Sequence, residues 1–265
     1  MKYTTPGVKE KGGKLADKPC PSCGLTLSAK TVTTHNLVSV DGSSSSQSVP
    51  FIDGDDITRR YIRVDPSKRI LLDVQDWPYK PSSFYDAPKI LIRQAGVGIA
   101  ATLDDSGARC PQSVYMYRLG HEAIERGYTL EFLLGVLLSR TMAYYVFKKF
   151  AEVDPARAHA KVTHARLSGL PIPRLDSDNR DHAKIQSQVA KIALDLLYGR
   201  LTIGGNEDHR IDILLRGLWG LTPDDGALIN NELLALPRSQ ALKDLFPEGS
   251  ANIAGRRPGT LPIEA

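Results

Sequence analysis

Residues 61–119 contain a series of short apolar runs separated by turn residues, and this series constrains the fold more than any other feature. In the run at 113–119, Tyr115 and Tyr117 alternate with apolar residues, a period of two that is typical of a half-buried strand. About five short strands in ~70 residues predict a twisted, mainly antiparallel sheet. The predicted strands are 61–64, 70–74, 90–92, 99–103 and 113–119.

Helical periodicity follows the last of these strands. Thr129 is a typical N-cap, and Glu131 lies in the first turn. Leucines at helical spacing follow, and methionine and aromatic side chains then continue the helix to about Phe150. A shorter helix is predicted to begin at Pro155, and the extended sequence at 170–173 closes the unit. The predicted fold class is therefore α+β, a twisted mainly antiparallel sheet with packed helices and a helical C-terminal segment.

Composition predicts four parts of the chain. Residues 1–50 include the run DGSSSSQS and form an N-terminal appendage with a Ser-rich linker, while 51–175 form the main domain. Residues 176–247 are a helical spacer or docking segment, and 248–265 are rich in Gly, Pro and Arg and are predicted to be disordered. Within the helical segment a narrow apolar seam suits a partner helix; its residues are Ile185, Val189, Ile192 and Leu196.

Charge is unevenly distributed along the chain, although its formal net value is only +4. Residues 140–174 hold seven basic and two acidic side chains, whereas 175–247 hold eight basic and eleven acidic ones. A polyanion would therefore meet the front and middle of the chain, unless this charge is only a solvated face. The chain has three cysteines, no apolar run of about 18 residues and no secretory signal, which predicts a soluble cytoplasmic protein without a membrane partner.

Five motifs stand in order along the main domain. They are FIDGDDITRRYI (51–62), PKILIRQAGVGIAATLDD (88–105), CPQSVYMYRL (110–119), YTLEFLLGVLLSRTMAYYVFKKF (128–150) and LSGLPIP (167–173). Together they resemble the target recognition domains of restriction–modification systems, nearest to the TaqI-like C-terminal specificity domain of adenine methyltransferases and related to type I specificity subunits. This resemblance implies that residues 51–175 choose a DNA sequence and leave the chemistry to another domain or subunit.

The resemblance also indicates which side chains contact DNA. In the family the second motif carries a Lys and an Arg, which correspond to Lys89 and Arg93 as DNA-contact or site-shaping residues. The first motif resembles a G-x-D-I-x-R-Y start with one extra Asp and one extra Arg. Basic side chains would neutralise phosphates, and Arg, Lys or Gln would read base edges; the alternative is that these residues only pack the sheet or lie in solvent. The candidates are Arg59, Arg60, Tyr61, Lys89, Arg93, Gln94, Lys148, Lys149, Lys161 and His164.

The resemblance implies partners as well as contacts. Double-stranded DNA would bind the main domain, and a partner adenine-N6 methyltransferase subunit would flip the target adenine and hold S-adenosylmethionine. This chain would itself hold no cofactor. Because one recognition domain reads a short half-site, a homodimer through the C-terminal helices is expected, with the seam as its contact.

Motifs of catalysis are missing from the sequence, which predicts a protein that is not an enzyme. The string nearest to a methyltransferase tetrapeptide begins at Asp76 and has Trp77 where a proline belongs; no phosphate-binding loop or serine-hydrolase elbow occurs. Two alternatives remain open: a docking module that does not read sequence, and a metal-dependent nuclease that uses Asp104 and Asp105.

A CxxC pair near the N-terminus raises the question of zinc. Cys20 and Cys23 flank turn residues, as in half of a zinc knuckle, but a complete site needs four ligands. Only Cys110 and His35 are plausible additional ligands. The expectation is therefore no metal site, with zinc at Cys20 and Cys23 as the alternative.

Overall fold

The structure is a computed structural model that describes residues 48–58, 60–72, 79–86, 88–95, 98–150 and 162–235, with short strand segments nearer the N-terminus. The strands in this part of the chain are β1 (Lys2–Tyr3), β2 (Lys18–Pro19), β3 (Thr26–Leu27), β4 (His35–Asn36), β5 (Val38–Ser39), β6 (Ser48–Phe51), β7 (Lys68–Leu71), β8 (Lys89–Arg93), β9 (Ala101–Asp104) and β10 (Val114–Tyr117). The helices are α1 (His121–Glu125), α2 (Leu130–Leu137), α3 (Arg140–Phe150), α4 (His164–Ser168), α5 (Arg180–Leu197), α6 (Asn206–Trp219) and α7 (Pro223–Ala235), with a 3-10 turn at Ser82–Tyr85.

Every strand pair in the described residues is antiparallel, and the strands form several small sheets instead of one. Together with the helices this confirms the predicted α+β class. The predicted strand at 61–64 is wrong, because Tyr61 has a φ of 48° in the left-handed region, which no strand residue adopts.

The chain divides into two compact units, residues 1–52 with 65–85 and residues 53–64 with 86–265. The first unit contains the sheet β5–β7–β6, in which Phe51 and Ile70 form a small apolar cluster. Arg69 of the central strand β7 also fastens β6, since its guanidinium donates to the hydroxyl and the carbonyl of Ser48 at 2.9 and 2.6 Å. The boundaries predicted near residues 50 and 175 remain predictions.

The second unit is built on a three-stranded sheet with β8 in the centre, between β10 and β9. Alternation along β8 sends Ile90 and Ile92 to the face covered by helices, whereas Lys89 and Leu91 lie on the other face. Both faces of β8 are buried, which explains its continuous apolar sequence.

The long helix predicted from Thr129 to Phe150 is in fact two helices, α2 and α3, bent by 57°. Thr129 caps α2 as predicted, because its side chain accepts from the Phe132 amide at 3.2 Å. At the bend Ser139 replaces helical hydrogen bonds: its hydroxyl donates to the Val136 carbonyl and accepts from the Met142 amide. No single helix in the described ranges has the length and apolar composition of a membrane span; α2 and α3 reach them only as a pair.

The C-terminal helices share the core of the sheet. Val189, Ile192 and Leu196 of the predicted seam are buried in one cluster with Ile90 and Phe132. A methyl group at Gly135 of α2 would lie 2.6 Å from Val189, so the backbones of α2 and α5 approach closely. The seam is therefore filled within the chain, and its predicted role as a homodimer contact is wrong.

Polar side chains cap the first turns of α5 and α7. Asn179 caps α5, and α7 begins at Pro223 after Thr222, whose hydroxyl accepts from the Asp225 amide at 3.2 Å. The extended segment 170–173 is held from two sides: the Tyr128 hydroxyl donates to the Pro173 carbonyl, and the Trp219 indole donates to the Pro171 carbonyl. The predicted helix at Pro155 and the tail 248–265 lie outside the described residues.

Candidate nucleic-acid interface

The first motif forms a loop that is tied to the helices by buried charges. Arg60 is 2 % exposed, and its guanidinium donates to Asp208 of α6, which is fully buried, at 2.8 Å. The second oxygen of Asp208 accepts from the Gly204 amide at 2.9 Å. Arg60 was predicted to contact DNA, and the burial of its side chain against this carboxylate corrects that role to a structural one.

A second arginine completes this buried network. Arg140 of α3 lies 3.8 Å from Asp208 and 3.6 Å from Asp212, so two guanidinium groups face two carboxylates. Asp212 also accepts from the amide and hydroxyl of Thr141 at 2.9 and 3.1 Å. We define Arg60, Arg140, Asp208 and Asp212 as the buried charge network. It joins the loop 53–64 to α3 and α6.

Tyr61 lies directly beside this network. Its ring is buried, and the Arg60 guanidinium carbon lies 5.3 Å from the ring centroid. Burial raises the pKa of the Tyr61 hydroxyl far above its usual value, although the Arg60 charge opposes that change. Because a residue other than glycine at positive φ costs about 1–3 kcal/mol, the surrounding contacts must hold Tyr61 in place. The predicted DNA contact of Tyr61 is therefore also corrected to a structural role.

Lys89 is another predicted contact that the structure places inside. Its side chain is fully buried, and the ammonium lies 2.5 Å from Asp104 on the neighbouring strand β9. Asp104 in turn accepts from the Ser106 amide and hydroxyl and from the Ala108 amide, which fixes the turn after β9. Of the two roles expected for Lys89, site shaping fits this position and phosphate contact does not. The same contacts occupy the carboxylate of Asp104, which argues against its use in a nuclease site.

Arg93 ends β8 in a half-exposed position. The loop of the first motif passes over it, since a methyl group at Gly54 would lie 3.4 Å from the Arg93 side chain. Glycine in the first motif thus allows close approach to the arginine of the second motif. Arg59 lies outside the described residues.

Gln94 follows Arg93 and begins a polar cluster at the end of the sheet. Its amide nitrogen donates to the Tyr115 hydroxyl of β10 at 2.8 Å, and its backbone pairs with Ser113 and Val162. These backbone bonds tie the end of β8 to β10 and to the segment before α4. Gln94 is half-exposed, so its side chain is held in place and still meets solvent.

His164 brings α4 to the same place. Its ring stacks on Tyr117, with centroids 6.0 Å apart and 15° between the planes, and meets Tyr115 edge-on at 6.2 Å. Burial and the neighbouring Tyr115 raise the pKa of Tyr117. We call Gln94, Tyr115, Tyr117 and His164 the polar-aromatic cluster. Sequence reasoning predicted Gln94 and His164 and missed the tyrosines, although the period of two already placed both on one strand face.

The second basic set is at the surface. Lys148 is 56 % exposed and forms an ion pair with Glu232 of α7, which raises the pKa of Lys148. Lys149 is exposed beside it, and Arg166 of α4 lies over the Phe150 ring at 5.4 Å. Lys161 lies outside the described residues.

Metal ligands do not gather in the part of the chain that the structure describes, where no group of three His, Cys, Asp or Glu side chains could hold an ion. Cys110 is half-buried, and its thiol lies 3.9 Å from the Val114 carbonyl. Cys20 and Cys23 lie outside the described residues, so the zinc alternative remains a prediction.

A glutamine held beside aromatic side chains on a half-exposed sheet edge is a surface typical of nucleic-acid binding, because the amide can read base edges and the rings can stack. The comparison with known families agrees with this class. Residues 49–172 match the family of the TaqI-like C-terminal specificity domain, which confirms the resemblance inferred from the motifs. This family has a DNA sequence-recognition role in restriction–modification systems. No curated protein matches the chain.

Proposed function

We propose that this protein recognises a short sequence in double-stranded DNA and directs a partner adenine-N6 methyltransferase to it. The observation that carries the proposal is the polar-aromatic cluster, all four members of which lie inside the segment that matches the specificity family. Other predicted contacts in the same segment, Arg60 and Lys89, are buried and leave this cluster as the better candidate for base readout.

The chemistry of Gln94 supports direct readout. A glutamine reads adenine with its amide oxygen and one amide hydrogen, in a bidentate contact with N7 and N6. In Gln94 one amide hydrogen is donated to Tyr115, which fixes the rotamer and leaves the other hydrogen and the oxygen for a base. Because the amide is held before DNA arrives, little side-chain entropy is lost on binding.

The aromatic members give the cluster a second mode of contact. The exposed imidazole of His164 covers Tyr117, so both rings are oriented by one another. Such a stack offers a face to an unpaired base or an edge to a phosphate. We assign Arg93 and Lys149 to phosphate contacts that position the domain without reading sequence.

The chemistry of methylation belongs, in this proposal, to the partner subunit. The partner binds S-adenosylmethionine and accepts the flipped adenine, while this chain contributes no catalytic residue. The filled seam of α5 is not available for a homodimer. A second copy would have to use outward apolar side chains of α6 and α7, such as Ile213 and Leu228.

The test is selection of bound sequences from a random duplex pool at near-physiological salt. The wild type should enrich one short motif. The Gln94→Ala variant should lose preference at one position, with discrimination there falling by about 1–3 kcal/mol, while the rest of the motif is kept. The matched control is Gln188→Ala, since Gln188 is a half-exposed glutamine on α5 beyond the segment that matches the family, and it should leave the motif unchanged.

Three outcomes separate the alternatives. Enrichment that depends on Gln94 supports base readout by the cluster. Strong salt-dependent binding with no enriched motif would favour the docking module, because phosphate contacts alone carry no sequence information. A motif that Gln94→Ala leaves intact would keep sequence recognition but remove the polar-aromatic cluster from it.

A further inference from the structure

An arrangement outside the polar-aromatic cluster places two arginines on one surface tyrosine. Tyr198 is the C-cap of α5, and the residue is 37 % exposed. The guanidinium carbon of Arg63 lies 4.8 Å from the ring centroid, and that of Arg200 lies 5.1 Å from it. Tyr198 and Arg200 lie beyond the segment that matches the specificity family.

The two arginines are held in position by different anchors. Arg63 lies in the loop 53–64, which the buried Arg60–Asp208 pair fastens to α6. Arg200 is oriented by Asp195, whose carboxylate accepts from its Nε at 2.7 Å, while its amide donates to the Asp195 carbonyl. The Nη groups of Arg200 make no hydrogen bond with a described residue, and Arg63 has no ion pair in the described ranges.

A guanidinium group that lies over an aromatic ring directs its N–H donors outward from the edge of its own plane. Two of these donors can bind two oxygens of one phosphate. Two such groups with one compensating carboxylate leave a local excess of positive charge at the exposed surface. The stacking on Tyr198 also orders both side chains before a ligand arrives, which lowers the entropic cost of binding.

We infer that Arg63, Tyr198 and Arg200 form a second DNA contact that grips backbone phosphates without reading bases. This inference rests on the proposed function, since it takes the phosphates to be those of the recognised duplex. It gives the helices after residue 172 a part in binding, in addition to their part in the core. The contact would position the duplex, while the polar-aromatic cluster chooses the sequence.

The experiment measures the affinity of a short fluorescent duplex by anisotropy over a series of salt concentrations. The variant is Arg63→Gln with Arg200→Gln. Because each phosphate contact contributes about 0.9 to the slope of log affinity against log salt, the slope should become shallower by about 1–2, with roughly tenfold weaker binding at near-physiological salt. The sequence motif selected from a random pool should stay the same.

Matched controls separate this contact from general charge. Arg126→Gln with Arg210→Gln removes two other exposed arginines, each paired with a glutamate on its own helix or turn, and should leave the slope unchanged. Tyr198→Phe keeps the ring and should bind as the wild type does, whereas Tyr198→Leu should weaken binding about two- to fivefold. Thermal unfolding of each variant verifies that the fold is intact.

Failure of this inference differs from failure of the proposed function. If the wild type selects a motif but the Arg63 and Arg200 double variant keeps its slope and affinity, the second contact is overturned and recognition stands. If the control pair lowers the slope as much, the effect is general charge and the contact is also overturned. If the wild type binds no duplex, both are overturned together.

Discussion

The buried charge network and the polar-aromatic cluster each contain polar residues that were predicted to contact DNA, yet the two groups have opposite environments. In the network, Arg60 and Asp208 are almost fully buried and pair with one another, so their charges hold a loop to helices. In the cluster, Gln94 and His164 are oriented by two tyrosines and still reach solvent. Burial therefore decides which polar residues of the matched motifs stabilise the fold and which reach solvent, where the proposed DNA contact would be made.

The largest expected effect comes from breaking the buried network. Asp208→Ala leaves two buried arginines with one fewer carboxylate, and we expect the free energy of unfolding to fall by about 3–5 kcal/mol. Urea denaturation measures this change. The control Glu122→Ala removes an exposed partner of Arg126 and should shift the midpoint very little. If Asp208→Ala were as stable as the wild type, the buried charge network would contribute no more to stability than a surface ion pair.

The packing of α2 on α5 gives the next effect. Gly135→Ala would place a methyl group 2.6 Å from Val189 inside the core, so we expect a loss of about 1–3 kcal/mol from overpacking. Gly217→Ala on α6 is the matched control, because its methyl group would meet open space. In Gly217→Ala the higher helix propensity of alanine should raise the free energy of unfolding by up to about 1 kcal/mol. If both variants behave alike, α5 does not pack on α2 as described.

Tyr61 makes the network sensitive to alkaline pH. Its folded-state pKa is raised above the ordinary tyrosine value by burial, so the phenol stays neutral in the fold while it ionises in the unfolded chain. The stabilisation that comes from this pKa difference is fully present below about pH 10. Above pH 10 it is lost, at up to about 1.4 kcal/mol per pH unit. Tyr61→Phe should therefore show a flatter decline of unfolding free energy between pH 10 and 11, as followed by urea titration. Parallel declines in both proteins would contradict the burial of Tyr61.

The smallest effect on stability is expected at the surface pair Lys148–Glu232. Both side chains are substantially exposed, so Lys148→Ala should leave the urea midpoint nearly unchanged. The same variant should weaken duplex binding slightly, because Lys148 adds positive charge beside Lys149, which the proposal assigns to a phosphate contact. A large loss of stability would instead make this pair part of the structural framework.

Sequence reasoning was most successful where local physics decides the outcome. The cap at Thr129 and the strand at 114–117 follow from a side-chain hydrogen bond and a period of two. The motif resemblance also located the specificity segment. Each of these features depends on residues that are neighbours in sequence.

Features that depend on distant partners were missed. Arg60 pairs with Asp208, which is 148 residues away, and nothing near Arg60 distinguishes it from a phosphate-binding arginine. The seam at Val189 resembles a dimer contact until Gly135 of α2 is known to fill it. The bend at Ser139 was hidden because Met142 and Tyr145 continue the apolar helical spacing of the leucines before it.

Photocrosslinking to a duplex that carries 5-iodouracil within the selected motif tests the central claim most directly. Its halogenated base reacts with aromatic side chains in van der Waals contact, and mass spectrometry of the digested complex identifies the attached peptide. The account predicts crosslinks to Tyr115, Tyr117 or His164, lost when the cluster is altered by Gln94→Ala together with His164→Ala. Crosslinks confined to Tyr61, beside the buried charge network, would contradict it.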